Sequence, residues 1–171
     1  AKILGLGFPG GPAVERLAAT GDARAVPLPR PLLGSTEPHF SFAGLKSAVL
    51  RAKDSGKYAD ADIAASFQQA ALDCVIDRLR RALANASVPA LVVAGGVAAN
   101  RAIRTTLESF AAERGMRFAA PPPALCTDNA AMIAWAGCER LGQSDPLDFV
   151  ARPRWPLDPD AEPVRGAGYK A

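Results

Sequence analysis

Leu91-Val92-Val93-Ala94-Gly95-Gly96-Val97-Ala98-Ala99-Asn100, running into Arg101-Ala102-Ile103-Arg104-Thr105-Thr106-Leu107, is the stretch on which the fold turns. Its short Val-rich run reads as a buried strand. Beyond the glycine pair, Ile103, Leu107 and Phe110 recur about one turn apart, the pattern of a helix with one apolar face. Strand, Gly-Gly turn and helix can hold a phosphate or a nucleoside. Gly95 and Gly96 let backbone approach a ligand, and the free N–H groups of the first helical turn favour an anionic or polar group. Asn100 falls in that turn with a side chain that both donates and accepts. A plain tight turn would use the same glycines, and the residues alone leave both readings open. The G-x-G-x-x-G fingerprint is absent, which argues against a nicotinamide site.

The remaining composition bounds the class. A chain of 171 residues, 49% hydrophobic, can build one domain with a core. No apolar run approaches the roughly 20 residues a membrane helix needs, so no membrane partner is expected. The start, Ala1-Lys2-Ile3-Leu4-Gly5, lacks the pattern of a signal peptide. It also lacks an initiator Met, and the expectation is a chain that begins inside a larger protein. Cys74, Cys126 and Cys138 are few, odd in number and widely spaced, which suits a reducing cytoplasm better than a disulfide framework. The net charge of +3 only mildly favours an anionic partner such as RNA.

Outward from the central stretch, Gly10-Gly11 precedes a short helix over 13–19 with Pro12 in its first turn. This pair is a second possible ligand cradle, although a plain turn is the simpler reading. Gly21-Asp22 ends that helix. Residues 27–38 form a proline-rich extended segment. Phe40 and Phe42 alternate as in a short strand, and 47–50 looks helical. Lone His39 reads as a surface residue, because metal sites want clusters. Asp60-Ala61-Asp62 supplies acidic caps for a long helix over 62–84, with Ile63, Phe67, Ala71, Cys74, Leu79 and Leu83 on its apolar side. Asp77, Arg78, Arg80 and Arg81 read as a solvated face with weak local ion pairs.

Downstream of the centre, Gly115 closes the second helix, 116–120 reads as a strand and three prolines stop it. Thr127 or Asp128 can cap a further helix over 130–137. Asp128 is also a hard-oxygen metal ligand by type, but its position favours the cap. From Ser144 the chain becomes an extended basic tail, giving two parts, 1–143 and 144–171. Arg152 and Arg154 of that tail leave RNA contact open.

Four blocks, in order, resemble the TsaD family (also called Gcp or YgjD): Leu4-Gly-Leu-Gly-Phe-Pro-Gly-Gly-Pro12, Phe40-Ser-Phe-Ala-Gly-Leu-Lys46, Gly95-Gly-Val-Ala-Ala-Asn100 and Cys126-Thr-Asp-Asn129. The ending Ala151-Arg-Pro-Arg-Trp-Pro-Leu157 is similar to bacterial members. The resemblance covers nearly the whole chain but only the C-terminal half of the family's protein. It implies an α/β fold, part of the C-terminal lobe of an actin-like ATPase (ASKHA, ribonuclease H-like) fold, with an incomplete sheet flanked by helices. It implies a transferase that moves threonylcarbamoyl from threonylcarbamoyl-AMP to the N6 amine of the adenosine beside the anticodon of tRNA. TsaB-like and TsaE-like proteins are the implied bacterial partners.

The match places Gly11 and Asn100 at positions that contact the adenylate, with Gly95 and Gly96 forming the neighbouring turn. It makes Asp128 a ligand of a divalent metal, iron or zinc, and so reverses the cap reading. The metal would make the carbonyl more electrophilic, and positioning the amine against an activated anhydride would supply much of the acceleration. No general base is identified. The family's His-x-x-x-His ligands lie in the half not matched here, and His39 has no histidine partner in the sequence. The chain alone is therefore expected to be inactive and not to retain the metal. Its strand edge and apolar faces are expected to seek a partner, by self-association or by pairing with an N-terminal fragment. The competing readings are an ATP-using kinase-like member of the same superfamily and a non-catalytic dimerisation paralogue. The peptidase reading has least support, since no His-Glu-x-x-His occurs.

Overall fold

Ser66 shows how the chain packs: it lies fully buried in the first third of the longest described helix, accepting from the Val26 N–H at 3.1 Å and donating to the Asp22 carbonyl at 3.3 Å. In the computed structural model, residues 1–36, 39–143, 146–150 and 160 are described. The chain divides into two compact units, Ala1–Asn129 and Ala130–Ala171.

The first unit opens with a 3₁₀ turn, Lys2–Leu4, followed by helices α1 (Gly10–Ala18), α2 (Leu45–Asp54) and α3 (Asp60–Ala82). Both α1 and α2 pack on α3. The small residues Ala64, Ala65, Ser66 and Ala70 of α3 are buried, so neighbouring backbone can come close, and Leu45, Val49 and Ile63 fill the space between. Gly21 is part of that closeness. A Cβ there would collide with the Ala61 carbonyl oxygen, so this glycine serves contact with α3 as well as the end of α1. Helix α1 begins earlier than its apolar pattern suggests: Gly10 and Gly11 belong to its first turn and do not form a loop ahead of it.

Asp60 and Asp62 do stand in the first turn of α3, where a negative charge suits the helix dipole. Neither caps it. Asp60 takes the Lys53 ammonium on both oxygens at 2.7 Å, and Asp62 accepts from the Asp22 N–H at 2.8 Å. The expected caps are thus tertiary ties.

Arg78 corrects the expected solvated face. Its side chain is 2% exposed; the guanidinium donates to the Leu32 carbonyl at 2.6 Å and the Ser35 carbonyl at 3.3 Å, and it pairs with Asp77. With the Arg30–Asp73 pair at 2.9 Å, it straps the proline-rich segment onto α3. Its prolines have no N–H to donate, and the helix side chain of Arg78 donates to its Leu32 and Ser35 carbonyls. The Arg78 bond holds the Asp77 carboxyl below its ordinary range, and burial pushes the Cys74 thiol up.

The second half of this unit is a β–α–β sequence: β1 (Ala90–Val92), α4 (Arg101–Glu113) and β2 (Arg117–Ala119). The strands are parallel, with Leu91 opposite Phe118. Both are shorter than their apolar runs, although Val93 still donates to the Ala119 carbonyl at 2.9 Å. Helix α4 buries Leu107, Phe110 and Ala111. It ends as its sequence predicts: Gly115 has φ +67°, its N–H reaches the Ala112 carbonyl, and the Met116 N–H reaches that of Ala111. This is a Schellman termination. Strand β1 is not the buried strand its Val-rich run predicts: Ala90 and Leu91 are half-buried and Val92 is 71% exposed, which leaves one face of β1 open. The expected strand at Phe40 and Phe42 does not form; both side chains are about half exposed in irregular chain. A lone short strand has no partner for its backbone groups.

The second unit contains α5 (Ala130–Glu139), which has no buried residue and exposes Ile133 and Trp135. Helix α5 starts at Ala130, so Asn129, not Thr127 or Asp128, immediately precedes it. Most of the basic tail, 151–159 and 161–171 together with 144–145, lies outside the described residues, Arg152 and Arg154 included. No described helix is long and apolar enough to cross a membrane.

Candidate functional site

A cavity of about 880 Å³ opens in the first unit, between the starts of α1 and α4 and the middle of α3. Gly95 initiates its turn with φ +83° and ψ 177°, a conformation closed to residues with a Cβ. The 3₁₀ turn Gly96–Ala99 follows and delivers Asn100 in extended conformation to the head of α4. Asn100 Oδ1 accepts from the Ile103 N–H at 2.9 Å, which is the N-cap bond. Its Nδ2 donates to Gln68 Oε1 at 3.0 Å. From α1, Glu15 Oε1 accepts from the Arg101 N–H at 2.6 Å. Arg104 secures the turn from the other side: Nε donates to the Ala98 carbonyl at 3.1 Å and Nη2 to the Pro121 carbonyl at 2.7 Å.

Gly11, Gly96 and Asn100 therefore line one cavity, although the first two are 85 positions apart in sequence. Gly95 shapes the turn without lining the cavity, and Asp128 is not part of the lining and is exposed. Gly11 has nothing within 4 Å of the position a Cβ would take, so its wall is open. One expectation needs correction. The Arg101 and Ile103 N–H groups of α4 are not free for an anion; Glu15 and Asn100 already hold them.

What remains is a mainly apolar cleft, with Ile3, Val14, Phe42, Phe67 and Ile103 in its walls and Lys2, Glu15, Lys46, Gln68 and Asn100 as the charged or polar residues of its lining. Such a site suits a flat ring carrying a few hydrogen-bonding groups, and the two lysines suit an anionic group attached to it. Glu15 and Gln68 carry no distinguishing signal in the sequence. Each reads there as one more polar residue on a helix, and only the fold brings them to Arg101 and Asn100.

Among the described residues, no group of three or more His, Cys, Asp and Glu side chains could hold a metal ion. Asp128 offers a single carboxylate, whereas a firm zinc site takes three or four protein ligands. The described donor set does not fit a metal held by this chain alone.

The architecture is that of an α/β protein built around a strand–glycine turn–helix unit that opens on one cavity. A sequence model of the TsaD family, tRNA N6-adenosine threonylcarbamoyltransferase, matches residues 1–135. The chain belongs to that family. It is 78% identical over 174 residues to the tRNA N6-adenosine threonylcarbamoyltransferase of Erythrobacter litoralis, covering 100% of this chain and 51% of the relative. It is 72% identical to the Novosphingobium aromaticivorans protein of that name (100% of this chain, 50% of the relative) and 63% identical to that of Zymomonas mobilis (100% and 49%). The chain spans about half the length of the curated relatives it matches.

Proposed function

We propose that this chain carries the adenylate-binding part of a threonylcarbamoyl transferase acting on tRNA. In this reading residues 1–143 are part of the family's C-terminal lobe. The cavity takes the nucleoside end of threonylcarbamoyl-AMP, and the acceptor is the N6 amine of the adenosine beside the anticodon. The convergence of Gly11, Gly96 and Asn100 on one apolar cavity carries the proposal. Gly11 gives close approach, the glycine turn sets Asn100, and the Asn100 amide supplies directional bonds. The chain's contribution to rate is then positioning: it holds an activated donor so that an amine can attack the carbonyl. Asp128 would give one oxygen ligand to a divalent metal, iron or zinc, completed by residues outside this chain.

The experiment is threonylcarbamoyl transfer to tRNA, with the 171-residue chain alone and with the N-terminal half of the Erythrobacter litoralis relative added in trans. Transfer only in the mixture is the expected result. Transfer by the chain alone, or stoichiometric tight iron or zinc in it, would overturn the division of labour. A failure of the chain to bind AMP would overturn the assignment of the cavity. Phosphoryl transfer from ATP to a small alcohol would favour the kinase-like alternative instead.

A further inference from the structure

We infer that Gln68 is a positioning residue of this cavity: it fixes how the Asn100 carboxamide is presented. The inference rests on the nucleotide reading of the site only for its consequence, not for its geometry. A carboxamide is nearly symmetric in shape, so its orientation is set by what its two ends bond. The Ile103 N–H at 2.9 Å demands an acceptor and takes Oδ1. That leaves Nδ2 at the other end, and Gln68 Oε1 meets it at 3.0 Å.

Held at one end only, the amide could swing about its cap bond. Held at both, its plane is fixed before any ligand arrives, and less ordering is required on binding. Gln68 suits this task because of where it is rooted. It lies on α3 with Ala64 one turn before it and Leu72 one turn after it, and both are buried. It therefore ties the end of the glycine turn to α3, the helix against which α1 and α2 pack. The Gln68–Asn100 bond spends one Nδ2 hydrogen and Gln68 Oε1. It leaves the second Nδ2 hydrogen and both Gln68 Nε2 hydrogens, a donor-rich wall that suits the ring nitrogens and hydroxyls of a nucleoside.

The test separates clamp from ligand. Gln68→Glu keeps an acceptor for Asn100 Nδ2, while Gln68→Leu and Gln68→Met remove it at similar size. Hydrogen exchange of the Asn100 side-chain amide, followed by NMR on the full 171-residue chain, reads the clamp directly. AMP titration reads its consequence. Exchange should speed up about three- to tenfold in the Leu and Met variants and stay at the wild-type rate in Glu, the size of one neutral hydrogen bond. AMP affinity should fall by about the same factor in Leu and Met, with partial rescue in Glu, while the Ile103 amide stays protected in all three. Unchanged Asn100 exchange in both apolar variants, or a Glu variant that behaves like them, would overturn the inference. If exchange responds as expected but the wild type binds no AMP, the clamp stands and the nucleotide assignment falls.

Discussion

Glu15 and Arg101 are 86 positions apart, yet the Glu15 carboxylate accepts the Arg101 backbone N–H at 2.6 Å. The bond joins α1 to the head of α4 at the cavity mouth. It also puts a negative charge where the α4 dipole is positive, a placement that stabilises the helix start. The anion expected at this helix terminus is thus, in part, the protein's own side chain.

Glu15→Ala removes both the tie and the charge. The expected cost is about 1 kcal/mol, because the bond is charge-assisted but partly exposed to water. That corresponds to a fall in melting temperature of about 2–4 °C for a chain of this size. Glu15→Gln, which keeps an acceptor, should recover part of the loss. Equal destabilisation by both variants would show that the carboxylate charge carries the whole effect.

The glycines at 11 and 21 should respond oppositely to the same added methyl group. At Gly21 a Cβ would collide with the Ala61 carbonyl, so Gly21→Ala pushes the chain after α1 away from α3. It should cost about 2 kcal/mol or more in urea denaturation. At Gly11 nothing lies within 4 Å, and alanine is the better helix former. Gly11→Ala should leave stability unchanged or raise it by up to about 1 kcal/mol. If the adenylate lies against this wall, the same variant should weaken AMP binding by about tenfold or more, since the methyl group occupies the approach. Full AMP affinity in a stable Gly11→Ala protein would move the ligand elsewhere.

Arg78 links stability to pH through Asp77. The Arg78 bond lowers the Asp77 pKa in the folded state, with burial opposing it and the Gly34 N–H assisting. A carboxylate with a depressed folded pKa stabilises the protein above its unfolded value, near pH 4, and that contribution is lost as pH falls through the folded value. Denaturation midpoints should therefore hold steady from neutral pH down to about pH 4 and decline below it, as far as this pair is concerned. Arg78→Met should cost about 3 kcal/mol at pH 7, because Asp77 loses its partner and the Leu32 and Ser35 carbonyls lose this donor. The variant's acid decline should be shallower than that of the wild type. Parallel declines would assign the acid sensitivity to other carboxylates.

The three thiols should titrate in two classes. Cys138 is exposed, whereas Cys74 and Cys126 are buried. Burial also raises the Cys74 pKa, which reduces its thiolate fraction. An Ellman titration of the native chain should modify one thiol quickly and the other two only in guanidinium. Rapid reaction of all three would mean that the first unit opens readily around α3 and the Pro121–Cys126 segment.

Much of the backbone plan was legible in the residues. The Val-rich run, the glycine pair and the apolar spacing of Leu107 and Phe110 lead directly to β1, the turn at Gly95 and α4. Gly115 marks the helix end because a left-handed residue is needed there. The four motif blocks point to the family to which the chain belongs. These are local signals: a helical period, a strand run or a positive φ is written within a few neighbouring residues.

The functions of individual polar side chains were not written that way. Arg78 has the spacing of a solvated helix face and is buried, because the proline-rich segment folds over it with carbonyls that need donors. Phe40 and Phe42 have the alternation of a strand and are not one, because alternation supplies no partner. Glu15 and Gln68 meet Arg101 and Asn100 from other helices. Sequence spacing therefore determined which segments coil, extend or turn, since those choices depend on a residue and its near neighbours. The tertiary fold decided which donor meets which acceptor, and so which residues make the cavity, since a hydrogen bond reaches only about 3 Å and chain separation does not encode that distance.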